Sequence, residues 1–147
     1  MVHIKDGDIF CVQQGIICHQ VNCMGKMGAG IALAIRKRWP KVYEDYMKAF
    51  EAKQLMLGAV IVSEILAGKL YIANLCGQYY YGRKGVYTNY QALRMCFDKV
   101  EQISKELSLP VYVPYKIGCS LAGGDWDVVY NIIASRITSG LIIRKQR

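Results

Sequence analysis

Histidine is scarce in this chain of 147 residues, with only His3 and His19. So few imidazoles argue against a zinc site of the usual nitrogen and sulfur kind, and neither metal nor cofactor is expected. Six cysteines are present, yet no two form a C-x-x-C pair. Scattered through apolar runs, they read as small buried hydrophobes in a reducing compartment. Long apolar runs are missing as well: stretches such as Val60-Ile61-Val62 fall far short of a membrane span. The opening residues Met1 to Asp6 lack the apolar segment of a secretory leader. The expectation is a soluble, cytoplasmic, monomeric protein without membrane contact. Acidic residues are few, 11 Asp and Glu against 19 Lys and Arg, for a net charge of +8. That balance favours anionic ligands, either nucleic acid or a basic pocket for a diphosphate. The cations fall in separate clusters, Arg36 to Arg38 with Lys41, Arg83-Lys84, and Arg144-Lys145 with Arg147. Such runs are usually solvated faces.

What the chain does have is glycine in two telling places. The apolar run Gly15 to Asn22 leads into Cys23-Met24-Gly25-Lys26-Met27-Gly28-Ala29-Gly30-Ile31-Ala32, and an amphipathic segment follows. Further on, Val111 to Pro114 reads as a buried strand running into Ile117-Gly118-Cys119-Ser120-Leu121-Ala122-Gly123-Gly124-Asp125-Trp126. A glycine loop that empties into a helix start presents unpaired N–H groups to an anion. Two such units suggest loops converging over the carboxyl ends of a sheet. Neither loop ends in Gly-Lys-Ser/Thr, and neither carries a clean dinucleotide fingerprint. Cys23 and Cys119 sit in these loops, so a thiolate nucleophile must be weighed, although no second histidine is placed to activate one.

The spacing predicts a strand over Met1 to Ile4, a turn at Lys5 to Asp8 and a short strand from Ile9 to Val12. A helix from Gly28 to near Trp39 follows the first loop, and Pro40 suits the N1 position of the next. Strands are predicted over Ala59 to Ile65 and Lys69 to Leu75 about an Ala67-Gly68 turn. Thr88 or Asn89 caps a long helix through Leu107. Trp126 to Ile137 forms the last helix, terminated by Gly140, before a strand from Leu141 to Ile143. Strands alternating with helices give a three-layer α/β/α sandwich on a mixed central sheet. At this length one domain with a sizeable core, spanning 1–147, is expected.

Gly7-Asp8-Ile9, Val21-Asn22 with Met27 to Ala32, and Ile117 to Cys119 with Gly124-Asp125-Trp126 together resemble the macrodomain family. The likeness is to its small stand-alone branch of terminal ADP-ribose glycohydrolases and ADP-ribose-1″-phosphate phosphatases. It runs from the first strand to the last helix, and it implies the same fold and ADP-ribose as ligand. By that resemblance Asp8 accepts a hydrogen bond from the adenine amine with Ile9 beside it, and Asn22 contacts the distal ribose. The pyrophosphate would lie between Gly28, Ala29, Gly30 and Ile31 on one side and Gly118, Cys119, Ser120, Leu121, Ala122 and Gly123 on the other. Asp125 is the leading catalytic carboxylate, with helix capping as its structural alternative. His19 or Asp125 could assist water attack with Asn22 orienting the ribose, although His19 also reads as a core residue. The glycohydrolase branch uses a lysine just past the strand that ends at Leu75, where this chain has Gly77-Gln78. Lys84 lies farther on, reachable only if the loop Tyr79-Tyr80-Tyr81 folds back. Those tyrosines suit a nucleoside wall or plain surface decoration. The reading is an ADP-ribose binder that hydrolyses an ADP-ribose derivative, against a non-catalytic binding module and, third, a nucleic-acid-binding domain.

Overall fold

The computed structural model describes residues 2–145. In chain order the elements are β1 (Val2–Asp6), a 3-10 turn (Ile9–Cys11), β2 (Gly15–Val21), α1 (Gly30–Arg38) and α2 (Pro40–Glu51). There follow β3 (Val60–Leu66), β4 (Leu70–Cys76), α3 (Tyr90–Leu107), β5 (Val111–Pro114), α4 (Trp126–Arg136) and β6 (Gly140–Arg144). The six strands form one sheet in the order β1-β6-β5-β2-β4-β3. Every pairing is parallel except that of β3 with β4, a hairpin turning at Ala67-Gly68.

β2 is the spine of the sheet. All seven of its residues are buried, as a parallel strand covered on both faces requires. Alternate side chains serve opposite faces. Ile16 and Cys18 pack with Leu93, Phe97 and Val100 of α3 and with Val129 and Ile133 of α4. Ile17 and Val21 pack with Ile35 of α1 and with Val42, Tyr46 and Ala49 of α2. The three-layer α/β/α sandwich on a mixed sheet is therefore borne out.

Two local expectations are corrected. Ile9 to Val12 is not a strand: Asp8 Oδ1 accepts from Phe10 N at 2.9 Å and winds the chain into the 3-10 turn. This is the local hydrogen bonding by which Asp competes with extended structure. Gly140 does not stop α4, which ends at Arg136 with Ile137 as C-cap. It instead opens β6, because a side chain there would collide with the Val111 carbonyl on the neighbouring strand. Other boundaries shift by a residue or two, as helix and strand ends do.

The five parallel strands all end on one side of the molecule. β2 and β5 are neighbours, yet β2 leads to α1 on one face and β5 to α4 on the other. Open α/β sheets place their ligand crevice at such a switch point. Both glycine loops start there.

Candidate functional site

The first loop is shaped by Asn22. Its Oδ1 accepts from Met24 N at 2.9 Å and from the Tyr46 hydroxyl at 3.0 Å, while its Nδ2 donates to the Lys26 carbonyl at 2.9 Å. The Tyr46 hydroxyl also donates to the Asn22 carbonyl at 2.6 Å. Burial raises the Tyr46 phenol well above its usual range, which keeps it a donor. Met27, fully buried, pins the loop to the core. Gly28, Ala29 and Gly30 then emerge exposed. α1 starts with Ala29 as N-cap, which supplies no side-chain hydrogen bond, so the first-turn amides remain available to an anion. Gly30 sits at φ +58°, where a side chain would be strained.

The second loop holds its shape by backbone bonds, Cys119 N to Lys116 O at 2.9 Å and Gly124 N to Gly118 O at 2.8 Å. Positive φ at Lys116, Gly118 and Gly123 makes the tight path possible. Among the described residues, the amides of Ser120, Leu121 and Ala122 have no carbonyl partner. The Thr88 hydroxyl donates to the Gly118 carbonyl at 2.5 Å and accepts from Gln20 Nε2 at 3.0 Å, tying this loop to β2. The two loops meet across the crevice: a methyl placed on Gly30 would stand 3.8 Å from Leu121 Cδ1.

Beside this meeting point lies a cavity of about 420 Å³, within the range of small-molecule sites. From the predicted set it is lined by Asp8, Ile9, Gly30 and Ile31. The run Gly118 to Gly123 flanks it through Leu121 rather than lining it. Of the lining residues outside that set, Phe10, Tyr115 and Arg144 bear most on the chemistry. Tyr115 packs edge-on against Trp126 at 5.1 Å, and the Arg144 guanidinium stands 5.7 Å from its ring. Arg144 Nε in turn donates to Asp6 Oδ1 at 2.7 Å. The only linear signal for Tyr115 was an aromatic just past a strand end. For Arg144 it was a cation closing the last strand.

Asp125 is a helix cap: its Oδ1 accepts from Asp127 N at 2.9 Å, and its own N–H donates to the Tyr90 hydroxyl at 2.9 Å. It is exposed at the mouth of the second loop. His19 is a correction. It has no exposed surface, its Nε2 pairs with Asn74 Oδ1, and burial lowers its pKa to about 4. A sealed, neutral imidazole in the core cannot meet a substrate. Neither loop cysteine is poised to attack. Burial pushes the Cys119 thiol up to about 11 and also raises Cys23, so both stay protonated near neutrality. Among the described residues, no group of three His, Cys, Asp or Glu is placed to hold a metal ion.

The tyrosine segment does fold back. Cys23 N donates to the Tyr79 carbonyl at 3.0 Å, and Tyr87 N donates to the Ala122 carbonyl at 2.7 Å. The Gly85 carbonyl lies directly against Gly123. The segment therefore bridges the two glycine loops, with Tyr79, Tyr80 and Tyr81 exposed and the last two stacked at 5.2 Å. Arg83 and Lys84 are exposed on the same segment.

This arrangement matches a known family. The family model described as the Macro domain fits residues 18–133. The chain is a macro domain. It is 30% identical over 122 residues to an uncharacterised 17.5 kDa protein of Enterobacteria phage T4, spanning 80% of this chain and 76% of that one. It is 32% identical over 76 residues to the DNA ADP-ribosyl glycohydrolase of Mycobacterium tuberculosis, which covers 50% of this chain and only 22% of that enzyme. Among solved structures, a Bacteroides thetaiotaomicron protein of unknown function superposes with a TM-score of 0.89 at 28% identity, covering 99% of this chain and 98% of that one. The Thermosipho africanus DarTG complex with ADP-ribose superposes with a TM-score of 0.78 at 19% identity, over 95% of this macro domain and 40% of that chain. At that identity the likeness concerns the fold. No helix among the described residues is long and apolar enough to cross a membrane.

Proposed function

We propose that this macro domain binds ADP-ribose in the crevice between its two glycine loops. The observation that carries the reading is the approach of Gly30 and Leu121, which brings two sets of unpaired backbone amides to one place. A diphosphate fits that chemistry, since helix N-termini and turn amides hold anions without many lysines. The adenine would enter the cavity lined by Asp8, Ile9 and Tyr115, with Arg144 at its edge. The distal ribose would lie toward Asn22 and the tyrosine segment. Asn22 acts there through the loop it shapes, because its amide is already engaged with Lys26, Met24 and Tyr46.

Hydrolysis of an ADP-ribosyl derivative is the finer reading. A relative named as a DNA ADP-ribosyl glycohydrolase supports it over half of this chain. Asp125 is the carboxylate we assign to activating water, since it is exposed beside the second loop. ADP-ribose-1″-phosphate and ADP-ribosyl adducts are the substrates to test. The tyrosine segment, with Arg83 and Lys84, offers stacking faces and cations to whatever carries the ADP-ribose, and a nucleic-acid carrier suits both features. Calorimetry with ADP-ribose, followed by incubation with each substrate, tests the two levels separately. Binding with release of phosphate or ADP-ribose is the expected outcome. Binding without release would make this a recognition module, and no binding would sink the reading altogether.

A further inference from the structure

A second cavity, of about 600 Å³, opens at the other end of the sheet, where β2 and β4 begin. Its walls come from the end of the 3-10 turn and the segment up to Gln14, from the last residues of α1, and from the β3–β4 hairpin. Phe10 and Trp39 stack there at 5.6 Å with 24° between their planes. The Arg38 guanidinium lies 5.7 Å from the Trp39 ring. Arg38 and Lys69 both line the cavity, both are exposed, and among the described residues neither joins an ion pair. Among the described residues no carboxylate lines it, whereas the exposed amides of Gln13 and Gln14 do.

The helix dipole explains a cation at the end of α1, and Arg38 alone would need nothing more. Lys69 is not at any helix end, yet it lines the same cavity as Arg38 and the aromatic pair. We propose that this cavity is a second binding site, taking one nucleoside monophosphate unit. The flat base would lie against the Phe10–Trp39 pair, as nucleobases do on aromatic and guanidinium faces. The phosphate would be held between Arg38 and Lys69. Gln13 and Gln14 each offer a donor and an acceptor in the fork that reads a purine edge. Phe10 also lines the first cavity, so the two sites stand back to back across one short turn. The inference does not depend on what fills the first crevice.

Cys11 supplies the test, because it lines this cavity and is the exposed thiol of the six. Its alkylation rate, read by peptide mass spectrometry, is measured on the full chain carrying Leu121→Glu, which weakens binding in the first crevice, whose lining includes neither Arg38 nor Lys69. Adenosine 5′-monophosphate and a short 5′-phosphorylated oligodeoxynucleotide are the probes. At a probe concentration ten times its Kd, mass action slows alkylation about tenfold. The further change Arg38→Glu with Lys69→Glu is expected to remove that protection. Stronger protection by the monophosphate points to a free nucleotide, and stronger protection by the oligodeoxynucleotide points to a strand end. An unchanged rate at millimolar probe would overturn the proposal, as would undiminished protection in the charge-reversed variant. Equal protection by inorganic phosphate would also overturn it, since no base would then be recognised.

Discussion

At Asp125 the carboxylate caps α4 through Asp127 N and is exposed beside the second glycine loop. Asn is as good an N-cap as Asp, whereas Ala costs about 1 kcal/mol. Asp125→Asn is therefore expected to melt with the parent and to lose turnover about 100-fold, the lower end of a general-base contribution. Asp125→Ala is expected to lose both turnover and stability. Thermal melts and product release, measured on both variants, check it. A second residue-scale expectation concerns His19. Burial, partly opposed by the bond to Asn74, lowers its pKa from 6.5 to about 4. Between those values the unfolded chain binds a proton that the folded chain refuses. Stability held above pH 6.5 thus falls as the pH drops toward 4, by at most about 1.4 kcal/mol per unit from this group. Urea unfolding at pH 7, 6 and 5 reads the slope. The ring resonances of His19 should remain those of neutral imidazole at pH 5.

Among the elements, the glycine loops carry the binding proposal. Leu121→Glu sets a carboxylate over the open N-terminus of α1, and Gly30→Glu does so from the other side at a position already strained for a side chain. Like-charge placement costs several kcal/mol, so each change is expected to weaken ADP-ribose binding by about 100-fold or more in calorimetry. Leu121→Glu is the cleaner of the two, because its backbone needs no left-handed φ. The long helix α3 tests a separate point: Asn89 Oδ1 accepts from Ala92 N at 2.9 Å. Asn89→Ala should cost about 1 kcal/mol in denaturant unfolding while leaving ligand affinity alone. These elements were legible because apolar runs broken by Gly, Asn and Pro mark where strands stop and helices start. The strand foreseen at Ile9 to Val12 failed because one hydrogen bond, from Phe10 N to the Asp8 carboxylate, outweighs a weak apolar pattern. Gly140 misled because its reason lies in Val111 on the neighbouring strand, 29 positions earlier in the numbering. Tyr115 and Arg144 were invisible as a pair, since only the sheet order brings them together.

For the whole molecule, the net charge of +8 sets a background attraction to polyanions. The aromatic and basic tyrosine segment gives that attraction one place to act. Single-stranded oligonucleotides should bind with an affinity that falls linearly, on logarithmic axes, as salt rises. Replacing Tyr79, Tyr80 and Tyr81 with Ala should weaken binding by about 1–3 kcal/mol per lost stack without changing that slope. A titration series from low to high salt on both proteins separates the two contributions.

The edge strand β1 has a single partner in the sheet, β6, and Arg144 meets Asp6 across a separation of 138 positions. During synthesis β1 leaves the ribosome first among the strands and must wait until nearly the whole domain has been translated before it can pair. The Asp8 turn grows directly from β1, so one wall of the cavity lined by Asp8, Ile9 and Tyr115 is assembled last. A nascent chain stalled before Gly140 would hold a sheet of only four strands, β5-β2-β4-β3, and would lack the cavity wall that β1 and β6 build together.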